Sequence, residues 1–248
     1  MTATIQLTSA SSNMADFLTN WASGFSTTYG TFWSADEGLV SDPGEIALHP
    51  EYEYAQWGNG GSGGNGVVLN GDFQYSQGNL TGTTSTLELG SGYSQDETGG
   101  VSLGQTDLTI VTDPAFTTAS PDYLDLAVYD LTVNGSLGNL YDYLAATGTV
   151  IEDTVASDTL VGFGGADTFV FSGGTDKVTS NGTGTAGYQD GTDTLDVSAW
   201  GATSTSDLYW YDDINGDAVI GTALDYSVSI TLEGVSSSVL DATDFLFA

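Results

Sequence analysis

The sequence predicts an α+β chain in two parts, an antiparallel sheet with helices over residues 1–149 and an all-β module over 150–248. Three observations carry this reading. Helical periodicity is confined to Asn13–Ser26, Asp122–Thr132 and Ser136–Thr147. Between the first helix and the other two lie short apolar runs punctuated by turn signals, the pattern of a meander. In DTVASDTLVGFGGADTFVFSGGTDKVT, from Asp153 to Thr179, three aspartates fall nine residues apart at Asp158, Asp167 and Asp176. Each is followed two positions later by an apolar residue, Leu160, Phe169 or Val178.

In chain order, NMADFLTNWASGFS sets Phe17, Leu18, Trp21 and Phe25 on one helical face, with Asn13 and Asp16 placed to cap its start. Thr27–Glu51 reads as a long loop dense in aromatics, holding Tyr29, Phe32, Trp33 and the single histidine, His49. Tyr52–Trp57 reads as a strand and Gly58–Gly66 as a flexible spacer. Four short strands follow, Val67–Leu69, Phe73–Ser76, Thr83–Leu89 and Leu108–Val111. Asn70-Gly71, Gly78-Asn79 and Gly90–Gly92 supply the turns between them. The two later helices are parted by Asn134-Gly135 and stopped by Gly148. Beyond the aspartate run, Asp190–Val197 and Asn215–Gly221 read as strand-turn units. Ser229–Val235 and Leu240–Ala248 close the chain, the last with an apolar end that reads either as an unburied terminus or as a final strand.

The middle unit of the aspartate run, Gly162–Val170 (GFGGADTFV), keeps the first glycine, the fourth glycine, the aspartate and the apolar position of the nonapeptide that builds calcium-binding parallel β-rolls. Glycine permits positive φ in the turn, aspartate offers a hard oxygen ligand, and the apolar residue points inward from a short strand. The flanking units keep little beyond the aspartate and the apolar residue. The candidate calcium set is Asp158, Asp167 and Asp176 with the turn glycines Gly162, Gly164 and Gly174. One such unit would pass for an ordinary Gly/Asp turn; three in register favour calcium.

Composition points the same way. Thirty-three acidic residues face one basic residue, Lys177, for a net charge of −32. Neither nucleic acid nor an anionic membrane finds cations here, so both are excluded as partners. Ion pairs cannot hold such a chain together, and its self-repulsion must be screened by salt or neutralised by bound cations. Hydrophobic residues at 40% allow a packed core despite 34 glycines. The chain has no cysteine, so no disulfide or thiolate site is expected. MTATIQLTSA lacks the features of a signal peptide, and no apolar run is long enough to span a membrane. Export by a route that reads something other than the N-terminus fits best. One histidine, no cysteine and no HExxH helix argue against an enzyme.

Two resemblances follow. Residues 153–248, through GFGGADTFVFSGG, DGTDTLDVSAWG, LEGV and the terminal DFLFA, resemble the RTX β-roll region that ends serralysin-type and related secreted proteins. That implies calcium-triggered folding outside the cell and type I secretion through a C-terminal signal. Residues 12–148, through DFLTNWASGF, LNGDFQYS and LAVYDLTVNGSLGNL, resemble the secreted hemophores of the HasA family. That implies a curved antiparallel sheet backed by helices, with heme held between two loops at one edge. Tyr75 matches the family's iron-binding tyrosinate, a hard anionic ligand suited to ferric heme. The supporting histidine is missing from Ser76–Asn79. The loop that carries the family's second axial ligand reads STTYGTFW here, leaving Tyr29, or His49 further along, as candidates.

The expected function is therefore a secreted, hemophore-like heme-binding protein with a calcium-stabilised C-terminal domain, working with an outer-membrane receptor. The alternative is a non-enzymatic extracellular structural protein, a calcium-dependent matrix, surface-layer or filament subunit that self-assembles and keeps the fold without the heme site.

Overall fold

A computed structural model describes residues 2–25, 30–36, 38–40, 42, 46, 51–58, 64–76, 79–95, 101–112, 123–180, 182 and 184–248. Two compact units divide the chain, one formed by 1–3 and 18–143 and the other by 4–17 and 144–248. Among the described residues, no helix is long and apolar enough to cross a membrane.

The first unit is built on an antiparallel sheet. Its strands are β2 (Thr31–Ser34), β3 (Gly38–Val40), β4 (Tyr52–Gly58), β5 (Gly64–Ser76), β6 (Asn79–Gln95), β7 (Val101–Ser102) and β8 (Gln105–Val111). They run in the order β8-β6-β5-β4-β2-β3, with β7 on β6. Alternation decides which side is buried. Val67, Leu69, Leu87, Leu89, Leu108 and Ile110 all lose essentially all their exposure, while Asn70, Thr86, Glu88 and Thr106 hydrogen-bond with one another on the other face.

Here the sequence expectations need correction. Asn70-Gly71 is not a turn. It is a register shift inside one thirteen-residue strand, β5. A side chain at Gly71 would strike the carbonyl of Thr83, so the glycine serves close backbone approach at an irregularity. Gly90–Gly92 likewise lies within the seventeen-residue β6. The stretch expected to be a loop after the first helix contributes β2 and β3, and Phe32 faces Ala55 across β4. Apolar periodicity found the strands, but glycine was read as punctuation where it marks tight packing.

Helix α1 (Met14–Gly24) starts as expected, since Asn13 Oδ1 accepts the backbone N–H of Asp16 at 3.2 Å. Its buried stripe includes Met14, Leu18 and Trp21. Trp21 also donates from Nε1 to the carbonyl of Gly90 at 3.0 Å. Helix α2 (Tyr123–Tyr129) runs into a π turn at Asp130–Asn134, and α3 (Gly138–Thr147) follows.

The second unit winds between two ladders. One holds β9 (Thr149–Glu152), β11 (Asp167–Val170), β13 (Thr194–Asp196) and β17 (Phe245–Leu246), paired parallel in that order, with β1 (Ala3–Leu7) beside β9. The other is a five-stranded sheet in the order β10 (Thr159–Val161), β12 (Thr175–Thr179), β16 (Ser229–Leu232), β15 (Ala218–Thr222) and β14 (Leu208–Asp212). From β9 to β13 the chain enters the ladders alternately. Thr149 pairs with Asp167 and Thr159 with Lys177, so one full turn of the winding spans two nine-residue units. Leu160, Phe169 and Val178, the apolar positions of the three units, are all 0% exposed. Ile151, Phe171 and Leu195 are equally buried, and Phe169 pairs with Ile151 on one side and Leu195 on the other. The antiparallel hairpin β14–β15 is an insertion before the chain returns to β16.

Candidate metal centre

Two of the three repeat aspartates, Asp158 and Asp167, close their own turns, and so does Asp193 further on. The carboxylate of Asp158 accepts the backbone N–H of Thr154 at 3.0 Å, that of Asp167 the N–H of Phe163 at 2.7 Å, and that of Asp193 the N–H of Gln189 at 2.8 Å. Each donor lies four residues before its acceptor. The turns are then stitched to the next turn of the winding. The N–H of Asp158 donates to Oδ1 of Asp176 at 2.9 Å, and the N–H of Asp167 to Oδ1 of Asp193 at 3.0 Å. One oxygen each of Asp158, Asp167 and Asp176, and both oxygens of Asp193, are thus spent on backbone.

The remaining oxygens are the anomaly. Oδ1 of Asp158, Oδ1 of Asp167 and Oδ2 of Asp176 are buried without any hydrogen-bond partner. An orphaned carboxylate oxygen is costly in a low-dielectric interior and calls for a proton or a cation.

For two of these residues a third carboxylate completes the group. Asp153, just past the end of β9, brings an oxygen together with oxygens of Asp158 and Asp176, all within 4.8 Å of one another. Asp153 is anchored by the N–H of Ser172, at 2.8 and 2.9 Å to its two oxygens. All three side chains are buried, Asp176 to 1% exposure. Burial pushes Asp176 up to about 7, with repulsion from Asp153 and Asp158 adding to it. Burial likewise pushes Asp153 up to about 6, against the lowering pull of its Ser172 hydrogen bonds. The one basic side chain, Lys177, points to Glu233 at 3.0 Å instead. The donor set is all oxygen and all carboxylate, which favours a hard divalent cation over zinc or copper.

The structure places the candidate calcium aspartates of the sequence reading in two ladders. Asp158 and Asp176 come together. Asp167 lies in the other ladder beside Asp193, and those two are not joined by a third carboxylate among the described residues. Both are raised by burial, Asp193 to about 6. Gly162 is engaged through both its N–H and its carbonyl with Ala186. Gly174 sits at φ +89°, where a side chain would strike the carbonyl of Ala156, and its own carbonyl accepts the N–H of Ser229. Gly164 has ordinary space around it and no positive φ; the left-handed position is the next residue, Gly165, at φ +123°. The sequence reading missed Asp153 and Asp193. Asp153 lies five residues before Asp158 and twenty-three before Asp176, off both the nine- and the eighteen-residue step, so no repeat spacing marks it.

Of the three residues named for heme, Tyr29 and His49 lie outside the described residues. Tyr75 sits near the end of β5, paired with Leu80 of β6, and is half-buried. Its ring lies 4.9 Å from that of Phe32, which also contacts Tyr52, Trp57 and Phe73. Asp125 of α2 fixes the hairpin beside it, accepting the N–H of Leu80 at 2.8 Å.

No protein-family model matches the chain, and no curated protein does. Among solved structures, the apo hemophore HasA of Yersinia pestis aligns at 19% identity, covering 58% of this chain and 87% of its own, with a TM-score of 0.44. The holo form of the same hemophore aligns at 20% identity over 58% and 89%, again at 0.44. The likeness is distant and partial.

Proposed function

We propose that this chain is a non-enzymatic extracellular protein whose C-terminal part, residues 150–248, is an RTX-like roll locked by calcium. One observation carries the reading: the buried, unpartnered oxygens of Asp158 and Asp176, gathered with Asp153. Bound there, a divalent cation would supply the positive charge that this chain otherwise lacks. Asp153, Asp158 and Asp176 would hold it, while their second oxygens keep the turns closed. Calcium suits the set better than magnesium, which gives up its waters reluctantly. Folding that depends on the cation then confines the stable protein to calcium-rich surroundings outside the cell, and type I export fits that order of events. Calcium titrated into chelated protein should bind with a heat that Asp176→Asn loses. Equal heats for both proteins would sink the assignment.

For the N-terminal part we propose the heme-binding role, with Tyr75 as iron ligand and Tyr29 or His49 as the second, and an outer-membrane receptor as partner. What supports it is the placing of Tyr75, a half-buried phenol against an aromatic cluster near a hairpin end. Hemin added to the protein should give a Soret band that Tyr75→Phe abolishes. Without such a band the chain is better read as a calcium-dependent matrix, surface-layer or filament subunit.

A further inference from the structure

The five-stranded sheet ends in β14, and no described strand pairs with its outer edge. Edge strands are usually blunted by lysine, proline or a bulge. The segment LYWYD has no lysine, proline or bulge, carries its one charge, Asp212, at its very end, and pairs with β15 in unbroken register. Its Trp210 turns inward and stacks on Phe245, with centroids 5.5 Å apart, which fixes the strand from within. Tyr209 and Tyr211 face the other way, both exposed, with rings 6.4 Å apart and 15° from parallel. Gly221 of β15 leaves the space into which the hydroxyl end of Tyr209 reaches, so this ring lies across the sheet. The strip therefore offers an open row of backbone groups beside two tyrosine faces.

Its surroundings are uniformly acidic. Asp207 and Asp212 bracket the strand, Asp213 and Asp217 sit in the hairpin turn, and the span 207–225 contains no basic residue. We propose that β14 docks an extended lysine- or arginine-rich segment of another protein. The segment adds as a strand to the free edge and sets cationic side chains over Tyr209 and Tyr211, near the carboxylates of Asp207 and Asp212, whose charge is not neutralised by the hydrogen bonds they accept from Thr203 and Ser237. Charge complementarity selects this occupant. A second copy of the chain brings the same carboxylates and only Lys177, already paired with Glu233. Main-chain hydrogen bonds along the edge give such a complex its affinity and alternate side chains its specificity. A cation over an exposed tyrosine ring adds roughly two- to fivefold per ring.

The test uses the full chain in calcium-containing buffer, titrated with a short peptide of alternating lysine and valine. Three comparisons accompany it: a glutamate–valine peptide, the lysine–valine peptide with alternate backbone amides methylated, and the Tyr209→Ser/Tyr211→Ser variant checked for retained fold by circular dichroism. Saturable binding is expected for the lysine peptide and none for the glutamate peptide. Methylation should weaken binding through lost edge hydrogen bonds, and the double variant should weaken it about tenfold. No saturable binding overturns the proposal. So does equal binding of the methylated peptide and by the double variant, which would reduce the contact to diffuse charge attraction. Dimerisation of the chain alone that the double variant abolishes would give the edge to a second copy and overturn it as well.

Discussion

The backbone N–H of Asp158 donates to Oδ1 of Asp176 at 2.9 Å, eighteen residues further along the chain, while Oδ2 of Asp176 finds no partner at all. One carboxylate thus serves two purposes. It stitches neighbouring turns of the winding with one oxygen and keeps the other for a cation. Asp176→Asn separates these roles, because the amide oxygen still accepts from Asp158 while the charge is gone. The variant should fold, bind calcium at least tenfold more weakly, and melt above the wild type when both are chelated at pH 8, since repulsion with Asp153 and Asp158 is relieved. Melting curves with calcium and with EDTA decide it; identical calcium shifts in the two proteins would refute the role of Asp176.

Proton binding should substitute for the cation as pH falls. Asp153, Asp176 and Asp193 have folded-state values pushed up to about 6, about 7 and about 6 from an ordinary 3.8, chiefly by burial. Between those limits the folded chain holds more protons than the unfolded one, so raising the pH removes stability. The stability these three groups contribute to the chelated protein should therefore be full at or below about pH 4, decline as the pH rises above it, and be gone once the pH has passed about 7. Calcium should flatten that decline, because it replaces the departing protons at Asp153 and Asp176. Urea midpoints at pH 5 and pH 8, with and without calcium, measure this. A chelated protein that gains stability toward pH 8 contradicts it.

The turn glycines should divide sharply. Gly165 and Gly174 have φ of +123° and +89°, and an added Cβ would strike the carbonyls of Ala145 and Ala156 respectively. Alanine at either position should cost about 1–3 kcal/mol. At Gly164 the nearest atom to an added Cβ is the Cβ of Ala145 at 3.8 Å, so Gly164→Ala should cost less than about 1 kcal/mol. Denaturant midpoints for the three variants, all in calcium, compare them directly.

That division also shows what the sequence could and could not reveal. The nine-residue spacing of Asp158, Asp167 and Asp176 was legible, and so were the buried Leu160, Phe169 and Val178, because each follows from local repetition. The partition of those aspartates between two ladders was not, since it depends on successive units entering different sheets. Asp153, five residues before Asp158 and twenty-three before Asp176, fits neither the nine- nor the eighteen-residue step, and the longer stretch between Thr179 and Thr194 takes Asp193 off that step too. In the first part the cap at Asn13 was local and legible. The length of β5 was not, because Asn70-Gly71 reads as a turn until Thr83 is known to press against Gly71.

Trypsin gives a direct report on whether the cation holds the winding together. Lys177 is the one residue in the chain after which it can cut. That residue lies within β12, its N–H bonded to the carbonyl of Asp158 at 2.9 Å and its neighbours paired with β10 on one side and β16 on the other. Cleavage needs an extended segment pulled free of both strands, so it reads the opening of this unit and nothing else. The exposed Lys177–Glu233 pair adds little protection of its own, less than about 1 kcal/mol. With calcium at pH 8 the chain should stay intact. With EDTA at the same pH, where Asp153 and Asp176 are charged and repel, two fragments meeting at Lys177 should accumulate. At pH 6 with EDTA, cleavage corrected for the enzyme's own pH response should slow again, because protons return to Asp176 first. Asp176→Asn should resist trypsin in EDTA better than the wild type does. A chain cut equally fast with and without calcium would separate the aspartate group from the stability of the fold.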